Sequence, residues 1–223
     1  MNKTIGIHQP NFLPWSGYFH KITSSDVFVF LDNVDIETKS AKAITNRSKI
    51  KTGSGEQWLT IPLKKGESKL ISVQEYVDAN WRDKTLKSIF LNYKKAPFFS
   101  EIYPLIEKIM LFPTNNLSEF NINSILQICE HLNIINKSFL RASEMELESE
   151  DRNERIIEIC GKAGCDTYFS GRGGKNYHDE SLFTAKGINI EYTKHEQIPY
   201  TQLYGEFIPG LSIIDSLFNK NEI

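Results

Sequence analysis

The chain has 223 residues, with 26 basic against 28 acidic side chains, 40% hydrophobic and 24% charged content, long enough to bury a core without disulfides or a structural metal. A net charge of −2 speaks against general electrostatic nucleic-acid binding, and no run is apolar for long enough to span a bilayer or to form the apolar core of a signal peptide. Cys129, Cys160 and Cys165 match no common zinc spacing, so the thiols are expected to be reduced and the protein cytoplasmic.

Residues 4–7 form a short apolar run that reads as a buried strand. The chain breaks at Gln9-Pro10-Asn11 and restarts as a helix at Pro14, whose fixed φ suits a first helical position, with Tyr18, Phe19 and Ile22 as the apolar face. Ser24-Ser25-Asp26 closes that helix, and residues 27–31 read as a second buried strand ending in Asp32-Asn33. A strand, helix and strand in so short a span predict parallel pairing with a right-handed crossover. Residues 34–56 are polar and basic. Residues 57–63 alternate and end at a proline, which suggests a strand near a sheet edge; 64–69 is a turn and 70–77 a further strand.

From Trp81 the apolar spacing turns helical, through Leu86, Ile89, Phe90 and Tyr93 to a stop at Pro97. Residues 102–111 and 117–132 are two more helices. Leu140 to Ser143 reads as a strand end, and an acidic loop over 146–151 leads into a helix with Ile156, Ile157, Ile159 and Cys160 on one face. A strand over 167–170 runs straight into Gly171-Arg172-Gly173-Gly174-Lys175. Asp179 caps a short helix, 188–192 is a strand, and 211–218 is an amphipathic helix. Together these predict an α/β fold with a parallel or mostly parallel sheet in a Rossmann-like three-layer arrangement. They predict a single domain over 1–223, carrying a helical insertion at about 81–135.

The polar turn His8-Gln9-Pro10-Asn11 falls at the carboxyl end of a strand, the edge where open α/β sheets bind ligands. The turn from Ser170 to His178 occupies the same position after a later strand; its glycines leave backbone donors open to an anion and Arg172 and Lys175 add charge. It is neither a Walker motif nor a dinucleotide fingerprint, and its bland reading is a flexible surface turn. Arg47, within the basic run 45–51, suits bidentate grip of a phosphate or carboxylate, against the commoner outcome of a solvated charged loop. Asp215 lies in an apolar helix, either as a buried partner for a base or exposed beside Ser216. His8, His20, His131, His178 and His195 show no metal-ligand spacing, so no metal is predicted, although a group of His8, Asp32 and His178 in space stays open. There is no G-x-S-x-G elbow and no cysteine in a nucleophile context.

These blocks resemble the WbqC-like protein family over nearly the whole length. The resemblance rests on His8-Gln9-Pro10-Asn11 with Pro14-Trp15 and Gly17-Tyr18-Phe19, then on Ser25-Asp26-Val27-Phe28 leading to Leu31-Asp32. It continues through Asn46-Arg47, Ile50-Lys51, Trp58-Leu59-Thr60 with Pro62, and Tyr168 to Gly171 with Tyr177. It closes with Tyr200-x-Gln202, Phe207-x-Pro209 and Leu211-Ser212-Ile213-Ile214-Asp215. The chain departs from the pattern at Asn33-Val34-Asp35 and at Asn219-Lys220-Asn221.

The resemblance implies an accessory enzyme of bacterial surface polysaccharide (O-antigen) synthesis, transferring an acyl or aminoacyl group to a nucleotide-linked amino sugar. Its partners are then that sugar nucleotide and an acyl or aminoacyl donor, with no cofactor or oligomeric state indicated. In that reading His8 is the general base, near-neutral in pKa, oriented by Asp32 or Asp215. Arg47, Lys51, Ser170, Gly171 and Arg172 hold phosphates, and Trp15, Tyr18 or Tyr177 stack on sugar or base. Gln9, Asn11, Asn46, Tyr200, Gln202 and Ser212 supply hydrogen bonds. Two alternatives stand beside it: a nucleotidyl- or adenylyl-transferring enzyme, by fold-level analogy with HUP-type nucleotidyltransferases, and a non-catalytic sugar-nucleotide-binding module.

Overall fold

The computed structural model describes residues 3–39, 43–66, 68–77 and 80–223. The chain divides into two compact units. The first comprises Met1–Gln9, Gly17–Asn33 and Ile134–Glu196; the second comprises Pro10–Ser16, Val34–Asn133 and Gln197–Ile223. The opening polar turn is thus shared out, with His8 and Gln9 in one unit and Asn11 in the other.

The first unit is an α/β layer structure. Its sheet holds five strands, β1 (Thr4–His8), β2 (Val27–Phe30), β5 (Ser138–Arg141), β6 (Thr167–Ser170) and β7 (Asn189–Tyr192), in the order β5-β2-β1-β6-β7. Every pairing in it is parallel. Helix α1 (Ser16–Thr23) connects β1 to β2, α5 (Arg152–Lys162) connects β5 to β6, and α6 (Glu180–Ala185) connects β6 to β7. The strands taken in chain order therefore lie 3-2-1-4-5, the order of the Rossmann-like sheets, and the direction of winding reverses between β1 and β6.

Period-two alternation sorts the side chains between the two faces. Ile5, Ile7, Val27 and Val29 join Ile156, Ile157, Ile159, Cys160 and Phe183 in one buried cluster, so that face packs against α5 and α6. Gly6 points to the other face, where a Cβ would lie 2.6 Å from Ser25 Oγ, 3.0 Å from the Phe28 ring and 3.1 Å from the Lys21 stem. The α1 layer therefore sits against β1 through a glycine. Helices on both faces of the sheet complete the three layers.

In the second unit β3 (Arg47–Thr52) and β4 (Gly55–Thr60) form a two-stranded antiparallel sheet. The basic run expected as a loop is thus strand β3, with Ser48, Ile50 and Lys51 buried along it. Residues 70–77 do not extend as the expected strand. Ile71–Val73 is a 3-10 turn, and Leu70, Glu75 and Tyr76 each make a single bridge to a different segment, at Asp35, Asn116 and Leu63. With three separate partners no continuous ladder can form. Helices α2 (Trp81–Tyr93), α3 (Phe99–Met110) and α4 (Leu117–His131) occupy the stretch read as helical, and α7 (Ile213–Lys220) ends the chain.

Helix α1 starts at Ser16 rather than Pro14, because residues 10–14 are held elsewhere. Phe12 packs edge-on against Trp81, 6.1 Å between ring centroids, and its N–H donates to the Thr45 carbonyl. Asn121 Nδ2 donates to the carbonyls of Pro10 and Thr45. The Pro14 carbonyl accepts from Ile213 N–H, and Ser212 Oγ donates to the Leu13 carbonyl at 2.7 Å. Leu13 reaches this path only with φ at 39°, a left-handed conformation that a leucine adopts at a cost.

Replacing Gly6 with alanine should destabilise the protein by about 1–3 kcal/mol through overpacking, since Ser25 Oγ is buried and fixed by its bond to the Lys21 carbonyl at 2.8 Å. Chemical denaturation of Gly6→Ala and of the double variant Gly6→Ala/Ser25→Ala checks this: the second change should return part of the loss.

Candidate functional sites at the sheet edge and in the second unit

The carboxyl edge of the first unit's sheet collects the polar ends of its strands. His8 closes β1, and its Nδ1 lies 3.1 Å from the Gln9 carbonyl. The Tyr18 hydroxyl donates to the same carbonyl at 3.0 Å, and its ring meets the His8 ring edge-on at 5.0 Å. Although His8 keeps some exposure, burial and the charge of Lys21 together hold its imidazole down to about 3. It is therefore neutral at physiological pH and too weak a base for the near-neutral proton transfer expected of it. Tyr18 is 1% exposed, its ring packed against His8, Phe19 and Phe28. It offers no face to a sugar.

Asp32, just past β2, is also buried. Its two carboxylate oxygens accept from the backbone N–H and the hydroxyl of Ser143, each at 2.9 Å. Those bonds tie the turn after β5 to the end of β2. They assign Asp32 an anchoring contact at the neighbouring strand.

The glycine turn after β6 is a 3-10 segment, Arg172–Asn176. Ser170 is buried and its hydroxyl faces the Gly171 carbonyl at 3.3 Å. Gly174 is required by close approach: a Cβ there would sit 2.3 Å from Ser170 Oγ and 2.6 Å from the His178 ring. Arg172 points outward, donating to the Lys194 carbonyl and pairing with Glu196 at 3.1 Å. Tyr177 is half exposed, with the Arg152 guanidinium 4.7 Å from its ring centroid. His178 packs against Tyr168, Phe183 and Tyr192, and its Nε2 is buried with no hydrogen-bond partner.

The second unit contains a cavity of about 320 Å³ whose wall includes Asn11, Trp15, Arg47, Ser48, Lys49 and Trp58 together with Pro209, Gly210 and Ser212. Asn11 is 1% exposed, and neither its amide nitrogen nor its amide oxygen has a partner. The buried Ser48 hydroxyl is likewise unpaired. Leaving such groups dry costs about 1–3 kcal/mol each. The Arg47 guanidinium lies 4.4 Å and the Lys49 ammonium 5.1 Å from the Trp58 ring centroid. Arg47 Nε donates to the Ala43 carbonyl at 2.5 Å, and Lys49 pairs with Glu56 at 2.7 Å. The cavity thus combines cations, indole rings and an unspent amide.

The remaining sequence candidates in this unit are engaged within the fold. Lys51, 2% exposed, donates through Nζ to the carbonyls of Gly205 and Glu206, so its charge fastens a turn. Asn46 Nδ2 donates to the Ile61 carbonyl, and the Gln202 amide exchanges two bonds with the backbone of Ile208. Asp215 is buried, its two oxygens accepting from the Tyr93 hydroxyl at 2.8 Å and the Tyr200 hydroxyl at 2.7 Å. Burial pushes its carboxyl up. Its partners are two phenols, not a base. Tyr93 in turn accepts from Lys51 N–H, so Asp215 closes a chain of bonds from β3 through α2 to α7.

Lys21, Lys49, Ser48 and Trp58 carry much of the polar character of these places. In the sequence, Ser48 and Lys49 fall within the basic run 45–51 and Trp58 within a block of the family resemblance, none with an assigned role, and Lys21 is not singled out at all. Lys21 had a signal: it lies three residues after Tyr18 and one before Ile22, on the buried side of α1. Lys49 and Trp58 are direct cross-strand partners, a pairing that exists only once β3 and β4 are in register. Cys129 and Cys160 are buried thiols pushed up to about 12 by burial, far from thiolate chemistry. Among the described residues no three His, Cys, Asp or Glu side chains gather as metal ligands, and no helix is long and apolar enough to cross a membrane.

A Rossmann-like sheet with a polar carboxyl edge, and a second unit holding a cationic, indole-walled cavity, describe an α/β protein. Residues 9–222 match the model of the WbqC-like protein family, and the chain belongs to that family. It is 32% identical over 227 residues to an uncharacterized protein of Mycobacterium tuberculosis, Rv1507c, an alignment covering 97% of this chain and 94% of the relative. Among solved structures, the zinc-bound form of an AdcAII variant from Streptococcus pneumoniae is 13% identical, covers 86% of this chain and 89% of its own, and superposes with a TM-score of 0.19. That similarity is too low to bear on fold or metal binding.

The lowered His8 has a consequence for stability. Its unfolded imidazole binds a proton below about 6.5, whereas the folded one does not until about 3. Stability should therefore fall as pH drops from 6.5 toward 4, because the unfolded chain binds the extra proton. Thermal melting across that range should show a shallower acid decline for His8→Gln than for the wild type.

Proposed function

We propose that the protein is an accessory enzyme of bacterial surface polysaccharide (O-antigen) biosynthesis that transfers an acyl or aminoacyl group to a nucleotide-linked amino sugar. The second unit's cavity is its acceptor site. The observation that carries this reading is the Asn11 amide, fully buried on the cavity wall with its donor and acceptor both unspent. A hydroxyl-rich ligand satisfies both at once. Arg47 and Lys49 supply charge for a phosphate, and Trp15 and Trp58 supply apolar surface for a sugar ring. At about 320 Å³ the cavity is near the lower end of ligand pockets, roughly 300–1,000 Å³. It suits a sugar and the phosphate next to it better than a whole sugar nucleotide. Family membership supports the polysaccharide context. His8, a weak base here, has no proton-transfer role in this reading.

Purified protein incubated with nucleoside-diphosphate amino sugars and a panel of acyl and aminoacyl donors should yield an N-acylated sugar nucleotide by mass spectrometry. Arg47→Met and Asn11→Ala should each weaken acceptor binding about tenfold or more, the loss of one charge-assisted or buried hydrogen bond. Unchanged acceptor affinity in both variants would remove the cavity from the assignment. Turnover should survive His8→Gln.

A second reading, nucleotidyl or adenylyl transfer, is favoured by the 3-2-1-4-5 strand order of the first unit, since such sheets bind nucleotides at the point where winding reverses. Pyrophosphate release from a nucleoside triphosphate is its signature.

A further inference from the structure

Lys21 is the least expected charge in the first unit. It is 6% exposed, and its ammonium donates to one group, the Ile7 carbonyl, at 3.1 Å. The Tyr168 ring lies 6.0 Å from it. No carboxylate pairs with it among the described residues. An ammonium has three donors, so two are unspent. Burial without a counter-ion pulls the group down to about 8, which still leaves it charged at neutral pH.

Its position is specific. The β1–β6 ladder ends at Gly6 and Phe169, and the Ile7 carbonyl just beyond that end is taken by Lys21. This is the switch point of the sheet. The charge of Lys21 reaches both His8 and His178 and disfavours their protonation. His178, whose ring meets Tyr168 at 5.5 Å, has its buried Nε2 without a partner. The buried cation and the imidazole with the unpaired nitrogen therefore both lie near the Tyr168 ring of β6. A methionine-like side chain would fill the Lys21 position without burying a charge, but would leave the Ile7 carbonyl without its donor.

We infer that Lys21 and His178, beside His8 at the carboxyl edge of β1 and β6, form an oxyanion-binding site for the phosphoryl or carboxylate group of a ligand. The anion supplies the missing counter-charge, and His178 donates from Nε2 in the tautomer the anion selects. The site lies wholly within the first unit, so it stands or falls separately from the acceptor cavity of the second.

The test is thermal melting of the full chain at pH 7 in chloride, with inorganic phosphate or acetate added at constant ionic strength. A ligand that binds only the folded state raises the melting temperature with concentration. Phosphate alone raising it identifies a phosphoryl site, and acetate alone a carboxylate site. Lys21→Met should lose the anion-dependent rise. His178→Phe should reduce that rise by at least half. In the wild type, the same anion should slow acetylation of Lys21 by an N-hydroxysuccinimide ester several-fold relative to the exposed Lys186, read by peptide mass spectrometry. This measurement decides the matter if Lys21→Met does not fold. No melting rise and no protection with either anion, or a full rise retained in Lys21→Met, would overturn the proposal.

Discussion

Strand β1 is paired unequally on its two sides, and the chemistry of the first unit follows from that inequality. Toward β2 the ladder runs to His8 and Phe30, while toward β6 it stops at Gly6 and Phe169. Backbone groups just past the shorter ladder need other partners, because a buried carbonyl without one is costly. Lys21 takes one of them. For its stem to reach across, α1 must lie close to β1, and only the absence of a Cβ at residue 6 allows that approach. The glycine, the buried lysine and the neutral histidine are consequences of one strand ending beside a partner that has already turned away.

The second unit solves a different problem, which is how to hold an irregular chain segment rigidly. Residues 10–15 have no helix or ladder of their own except the single bridge from Trp15 to Ser212. Side chains and strand ends take over: Asn121 holds Pro10 and Thr45, Ser212 holds Leu13, and Phe12 is fixed among Trp81 and Phe120. Asp215, with its two phenols, plays the same part for α7. Within that framework Asn11, on the cavity wall, keeps both the donor and the acceptor of its amide unpaired, and the Ser48 hydroxyl on the same wall is unpaired too.

Several residues chosen for their chemistry prove to be framework. Asp32, Lys51, Gln202 and Asp215 each have polar groups bonded to nearby chain, and each fastens a turn or a helix end. A buried charge or amide needs such partners for stability alone, and a polar side chain next to an apolar run looks the same in sequence whether it holds a loop or a ligand. Lys21 and Asn11 differ because part of their bonding capacity is unspent, a property visible only when the neighbours are in place.

The sequence by itself determined the local elements. Buried runs such as Ile5 to Ile7 and Val27 to Phe30, helical spacing from Trp81 onward, Asp179 as a cap and glycines after β6 are written in near-neighbour patterns. These fix α/β architecture because short parallel strands with a helix between them have one favoured handedness. What it left undecided depended on partners far along the chain. The start of α1 was delayed by contacts from Ser212 and Ile213, and the stretch after Leu70 was kept from a ladder by three unrelated bridges. The pKa of His8 was set by burial and a lysine on the following helix. Periodicity reports which side of an element is apolar; tertiary packing alone decides which polar groups on that side find partners.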